Sequence, residues 1–140
     1  MGPPELAVTR SPAMEPLVLT LEYPGLPPKE FSPNYTGPWR KRWRAGVDAK
    51  GSIIALLSEQ GWSMEPLERA VVRFKIGLPD ERVRDDDNLY AACKPFRDAL
   101  VGRVIKDDKI GGSATFEYSW FPSPGKPVTV IEVRNALLCK

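Results

Sequence analysis

Apolar residues recur along this chain in two rhythms, and the switching between them limits the folds open to it. Leu17, Leu19, Leu21 and Tyr23 fall at every second position, with Val18, Thr20 and Glu22 between them: the period of a strand with one buried face. From about Trp39 to Leu57 the pattern becomes helical. Its first half is basic (Trp39-Arg40-Lys41-Arg42-Trp43-Arg44) and its second half apolar (Ile53-Ile54-Ala55-Leu56-Leu57). Pro38 suits the first turn of that helix, where a missing N–H has no intrahelical acceptor to lose. Glu68 to Ile76 alternates again, with Ala70, Val72, Phe74 and Ile76 on one side and Arg69, Val71, Arg73 and Lys75 on the other. Leu89, Ala92, Phe96, Ala99 and Leu100 return to helical spacing behind Asn88, a candidate N-cap, and Pro95 should kink this second helix. Ala114–Phe121 and Val128–Arg134 read as two strands of a hairpin around the turn Pro122-Ser123-Pro124-Gly125-Lys126-Pro127. The order β-α-β-α-β-β predicts an α+β fold, a small mixed β-sheet with two main helices.

A length of 140 residues fits one domain. Nine of the 15 prolines lie in the first 38 residues, so residues 1–15 are expected to be a flexible arm and 16–140 the domain. The stretch Pro24–Pro38 is all turn chemistry, and a loop that long in a compact domain is usually functional. No histidine is present, which removes the commonest general base and nucleophile activator near neutral pH. Any catalysis must use carboxylates, lysine, arginine or bound metal. Cys93 and Cys139 form no C-x-x-C pair, and no apolar run approaches the roughly 20 residues of a membrane span. With no signal-peptide grammar either, the expected location is the cytoplasm and no membrane is expected as partner. The two thiols are most simply small buried hydrophobes.

The informative segment is Arg82-Val83-Arg84-Asp85-Asp86-Asp87-Asn88-Leu89, followed later by Lys106-Asp107-Asp108-Lys109. If residues 85–87 are extended, Asp85 and Asp87 face one side about 6–7 Å apart and Asp86 the other. Two carboxylates about 6 Å apart repel by roughly 3 kcal/mol at an effective dielectric near 20, and a third acid adds to that. Oxygen-only ligands select Mg²⁺ or Mn²⁺ over zinc. The same acids serve equally as a cap and first-turn charges for the following helix, with Asp107-Asp108 a plain turn.

The composite R-D-D-D-N-L (Arg84–Leu89), K-P-F-R-D-A-L (Lys94–Leu100) and Asp107-Asp108, behind a Pro27-Pro28 and Ser32-Pro33-Asn34 loop, resembles the RusA family of Holliday-junction resolvases of phages and prophages. The resemblance covers roughly Leu17 to Asp108. It implies a homodimeric, Mg²⁺-dependent endonuclease in a bacterial host cytoplasm that resolves branched DNA by paired nicks. In this scheme Asp85, Asp87 and Asp108 hold the metal, a metal-activated water attacks the phosphodiester, and Lys94 is the catalytic-site lysine. Five residues separate Asn88 from Lys94, more than the family pattern, which shifts Lys94 by about one helical turn. A near two-fold junction suits a two-fold dimer.

Arg84 either grips an adjacent phosphate or pairs with a neighbouring aspartate. Asn34 either shapes the site or merely turns the chain after Pro33. Arg40, Lys41, Arg42 and Arg44 are expected to contact DNA phosphates, with Trp39 and Trp43 mainly packing. Phe116, Tyr118 and Trp120 face either the core or a dimer interface. Two other functions fit the residues: a non-catalytic nucleic-acid-binding module built on the Trp39–Arg44 helix, and a structural protein whose acidic and basic segments pair between subunits.

Overall fold

A computed structural model describes residues 16–82, 84–109 and 112–136. The expected N-terminal arm and Cys139 lie outside the described residues. Strand β1 (Leu17–Tyr23) leads through a loop with one 3-10 turn (Lys29–Phe31) to helix α1 (Trp39–Glu59) and strand β2 (Ala70–Leu78). Two short helices, α2 (Asp86–Ala91) and α3 (Lys94–Leu100), precede β3 (Ala114–Pro122) and β4 (Val128–Asn135). The α+β class expected from the two rhythms is what the chain adopts.

The sheet runs β1-β4-β2-β3, with β4 antiparallel to both neighbours and β2 parallel to β3. The expected β3–β4 hairpin is therefore corrected: β2 lies between them. The turn sequence marks where the chain reverses but not how far it travels. Residues 123–127 reach up to about 17 Å when extended, whereas two strand spacings need only about 10 Å. The connection rests on the end of β2, with the Ser123 and Gly125 N–H groups donating to the carbonyls of Leu78 (2.8 Å) and Pro79 (2.9 Å). A Cβ on Gly77 would come within 2.9 Å of the Phe121 and Ser123 side chains, so the crossing needs glycine there. β4 takes the middle because its inward side chains Thr129, Ile131 and Val133 are all apolar or satisfied, with Thr129 Oγ1 donating to the Gly25 carbonyl (2.8 Å).

The second helix is also corrected. Pro95 does not kink one helix but separates two. Continuing α2 would drive the proline ring into the carbonyl four residues back and forfeit a hydrogen bond. The chain instead breaks at Ala92-Cys93 and restarts with Pro95 in the first turn of α3, where its missing donor is harmless. Pro38 sits one step outside its expected place, as the extended residue that caps α1.

Helices α1 and α3 pack on one another, and their apolar residues share one core with the inward side of the sheet. Ala49, Ile53 and Leu57 of α1 and Phe96, Ala99 and Leu100 of α3 meet Leu19, Leu21, Val72, Phe74, Ile76, Ile131 and Val133. Each fully buried Leu, Ile, Val or Phe contributes about 1.5–3 kcal/mol. Phe96 anchors the centre, 4.7 Å from the Tyr23 ring and 6.5 Å from that of Phe74. This seats α3 and hangs α2, with its acids, from the edge where β2 ends.

Candidate metal and nucleic-acid site

The loop after β2 prepares the acidic cluster. Asp80 Oδ1 accepts from the Arg82 backbone N–H (3.0 Å) and from Arg84 Nη1 (2.9 Å). The Arg84 hydrogen bond, with the Arg82 N–H, holds the Asp80 carboxyl below the usual carboxylate range. Of the two readings of Arg84, the structure carries the salt bridge, made to Asp80, and only 13% of the Arg84 side chain remains exposed.

Asp85, not Asn88, caps α2: its Oδ1 accepts from the Asp87 N–H at 3.0 Å. Asp86 and Asp87 are therefore in the first helical turn, and the extended geometry expected for residues 85–87 is not formed. A helical turn gathers three consecutive carboxylates where an extended run would split them. One oxygen from each of Asp85, Asp86 and Asp87 lies within 4.8 Å of the others, and all three residues are exposed. Asp86, expected to point away, belongs to the group.

Asp108 does not. Among the described residues, the group that comes within 4.8 Å consists of Asp85, Asp86 and Asp87, so the expected set of Asp85, Asp87 and Asp108 is not assembled. Asp108 instead pairs with Arg97 Nη2 at 3.6 Å, and the Arg97 guanidinium lies 4.3 Å over the Phe116 ring. Asp107 is occupied in its own turn, accepting the Lys109 N–H at 3.1 Å. Lys94 Nζ lies 3.3 Å from Asp98 Oδ1 one turn on, so its charge is engaged on α3 itself. Asn34 is an exposed turn residue whose N–H donates to Ser32 Oγ, the turn role that was one of its two readings.

Between the acids and Arg97 runs an aromatic stack that sequence reasoning missed in part. Tyr90, one turn beyond Asp86, stacks on Tyr118 (5.2 Å), which stacks on Phe74 (5.3 Å). Burial, and then the charge of Asp86, raises the Tyr90 hydroxyl above its ordinary pKa, so it stays protonated and able to donate. Phe116 and Tyr118 thus pack on the core, while Trp120, third of that face, is 54% exposed. Arg97 had no separate signal in the sequence, because its partners are remote. Asp86 had one: consecutive acids before a helix cap it rather than extend.

The basic helix departs from expectation in its aromatics. Trp39 is 70% and Trp43 58% exposed, so neither packs on the core. Helix α1 has 21 residues, and its buried ones, Ala49, Ile53 and Leu57, all lie in its second half. It buries nothing before Ala49. Arg42 is drawn back, donating to the Glu30 carbonyl (2.9 Å) with its guanidinium 4.3 Å over Phe31. Arg40, Lys41 and Arg44 make no ion pair among the described residues and line an open hollow of about 410 Å³ with Glu30, Ala45 and Asp48. The basic side of β2 is by contrast neutralised, Arg73 by Glu117 (2.6 Å) and Lys75 by Glu132 (3.1 Å). Cys93 is fully buried, and burial pushes its thiol up to about 12, consistent with an inert core residue.

No helix among the described residues is long and apolar enough to cross a membrane. No family model matches the chain. It is similar to an uncharacterized protein of Xylella fastidiosa (strain Temecula1), with 33% identity over 94 residues, which cover 65% of this chain and 60% of the relative. The matched region thus spans about 60% of that relative's length.

Proposed function

We propose that the protein is a divalent-metal-dependent endonuclease that acts on branched DNA, as its resemblance to the RusA resolvases implies. The observation that carries this reading is the convergence of three exposed carboxylates, Asp85, Asp86 and Asp87, within 4.8 Å of one another. Their chemistry fits Mg²⁺, or Mn²⁺ in its place: all donors are oxygens, and solvent exposure leaves room for the waters and phosphate oxygens that Mg²⁺ retains. Asp85 gives one oxygen to the Asp87 N–H and keeps the other. Asp85, Asp86 and Asp87 would hold the ion, which supplies a lowered pKa for water and stabilisation of a leaving oxygen.

The protein's own groups then have defined tasks. The α2 cap fixes the Asp85 carboxylate and sets the helical backbone that carries Asp86 and Asp87 beside it. The Tyr90 hydroxyl remains a donor beside them. Arg97 restrains Asp108 on the far side of the Tyr90–Tyr118 stack. Lys94, beside Asp98, stabilises developing charge only if it leaves that pair. A homodimer would present two such centres to the two strands of a junction.

A second reading, a nucleic-acid-binding protein without catalysis, draws on the same cap: aspartates at an N-terminus stabilise the helix whether or not a metal arrives. Incubation with a synthetic four-way junction, with and without Mg²⁺, separates the two. The nuclease reading expects paired symmetric nicks that require the metal. Junction binding with intact strands in Mg²⁺ and in Mn²⁺ would leave the second.

A further inference from the structure

From the exposed N-terminal half of α1, we infer a second nucleic-acid site, apart from the acidic cluster: a stacking platform for unpaired bases of single-stranded DNA. Trp39 and Trp43 lie four residues apart, hence on one face about 6 Å apart along the axis. Both are largely solvent-exposed, and Val47, 46% exposed, continues the same stripe one turn further. A solitary exposed apolar residue needs no explanation, but two tryptophans and a valine in register do. The residues turned away from that stripe identify the occupant. Arg40 borders it, Arg44 lies further round the helix and Lys41 on the opposite face, none with an ion pair among the described residues, while Arg42 is held on the Glu30 carbonyl and Phe31.

Flat aromatic faces beside unneutralised cations match a strand that offers bases on one side and phosphates on the other. Duplex DNA hides its base faces and leaves the tryptophans without a ligand. Glu30 and Asp48 at the margin of the hollow oppose the charge in part, so the cations alone are a modest anchor and stacking must supply the rest. The platform is held rigidly. Gly46 lets the Phe31 ring approach the helix so closely that a Cβ there would meet it at 2.7 Å, and Arg42 closes over the same ring. The 3-10 turn thereby clamps the free half of α1.

The test uses the full chain in EDTA, where no cleavage occurs, so that it stands apart from the nuclease reading. Affinity for an oligothymidine of about 12 nucleotides is measured by anisotropy over a salt series. The joint Trp39→Ala and Trp43→Ala variant should lose roughly tenfold or more in affinity with an unchanged salt slope, and Trp39→Phe with Trp43→Phe should recover most of it. Replacing Arg40 and Arg44 with alanine should flatten the slope by about 1.4, since each single-strand phosphate contact contributes about 0.7. Because all these side chains are exposed, thermal melting should be unchanged. Equal affinity of the double alanine variant for the oligonucleotide would overturn the inference. So would a preference for duplex over single strand, insertion of the tryptophans into anionic phosphatidylglycerol vesicles without oligonucleotide binding, or a dimer that the double variant abolishes.

Discussion

The outward side of the sheet and the rim formed by α1 and α2 carry the same kinds of residue and treat them in opposite ways. On the sheet, Arg73 meets Glu117 and Lys75 meets Glu132, and Glu132 also lies 3.5 Å from Arg134 with only 15% of its side chain exposed. On the rim, Asp85, Asp86 and Asp87 crowd together, and Arg40, Lys41 and Arg44 make no ion pair among the described residues. Half-buried charges that are matched across strands hold register and silence the sheet as a polyanion-binding face. Gathering like charge is unfavourable for the isolated chain, and its relief has to come from outside. The difference teaches that charge type says little about function until pairing is known.

The comparison is broken most directly at the acids. Asp85→Asn, Asp86→Asn and Asp87→Asn should each lower junction cleavage by about a hundredfold or more while leaving junction binding intact or stronger. Asparagine caps a helix as well as aspartate does, so melting of Asp85→Asn should stay close to wild type. Normal cutting by all three would remove the rim's special status. A second test raises the pH. The folded-state pKa of Cys93 is raised by burial to about 12 from an ordinary value of 9.0, and Tyr90 and Tyr118 are raised in the same direction. Stability from such groups is complete below pH 9 and lost as pH climbs toward 12. The thiol alone accounts for something on the order of 4 kcal/mol at the upper end. Chemical denaturation midpoints across this window measure it, and a flat profile would mean the core is open at Cys93. The smallest expected effect sharpens the sheet's side: Glu132→Ala leaves Lys75 and Arg134 half-buried without it and should cost about 2 kcal/mol in urea unfolding. If Asp86→Ala costs as much, the contrast between matched and gathered charge fails.

Much of this arrangement was legible from the sequence, and the gaps have identifiable causes. The strands β1 and β2 and helix α1 show in the period of their apolar residues, because burial of one face writes that period directly. Strand neighbours do not: alternation in Val128–Arg134 marks a strand but is silent on whether it lies beside β3 or between β1 and β2. Pro95 announced a disruption, and its strength, break against kink, depended on whether Phe96 and Leu100 gained more from the core in a separate helix. The acids were found, but their geometry turned on one hydrogen bond, from the Asp87 N–H to Asp85, that makes the run helical rather than extended. Asp108 was out of reach of local reasoning, since Arg97 claims it across the β2–β3 connection. The outward tryptophans follow from which half of α1 meets the core, the half with Ala49, Ile53 and Leu57, and no single residue encodes that.

The place of β4 between β1 and β2 has a consequence for synthesis. Of the four strands it is made last, yet it takes part in two of the sheet's three seams. Until Val128–Asn135 is made, β1 has no strand to pair with in this topology, and β2–β3 is the one seam of the sheet that can form. Closure is then a single late insertion, so a stalled or frameshifted product that stops short of Val128 yields no partly working sheet but an aggregation-prone fragment.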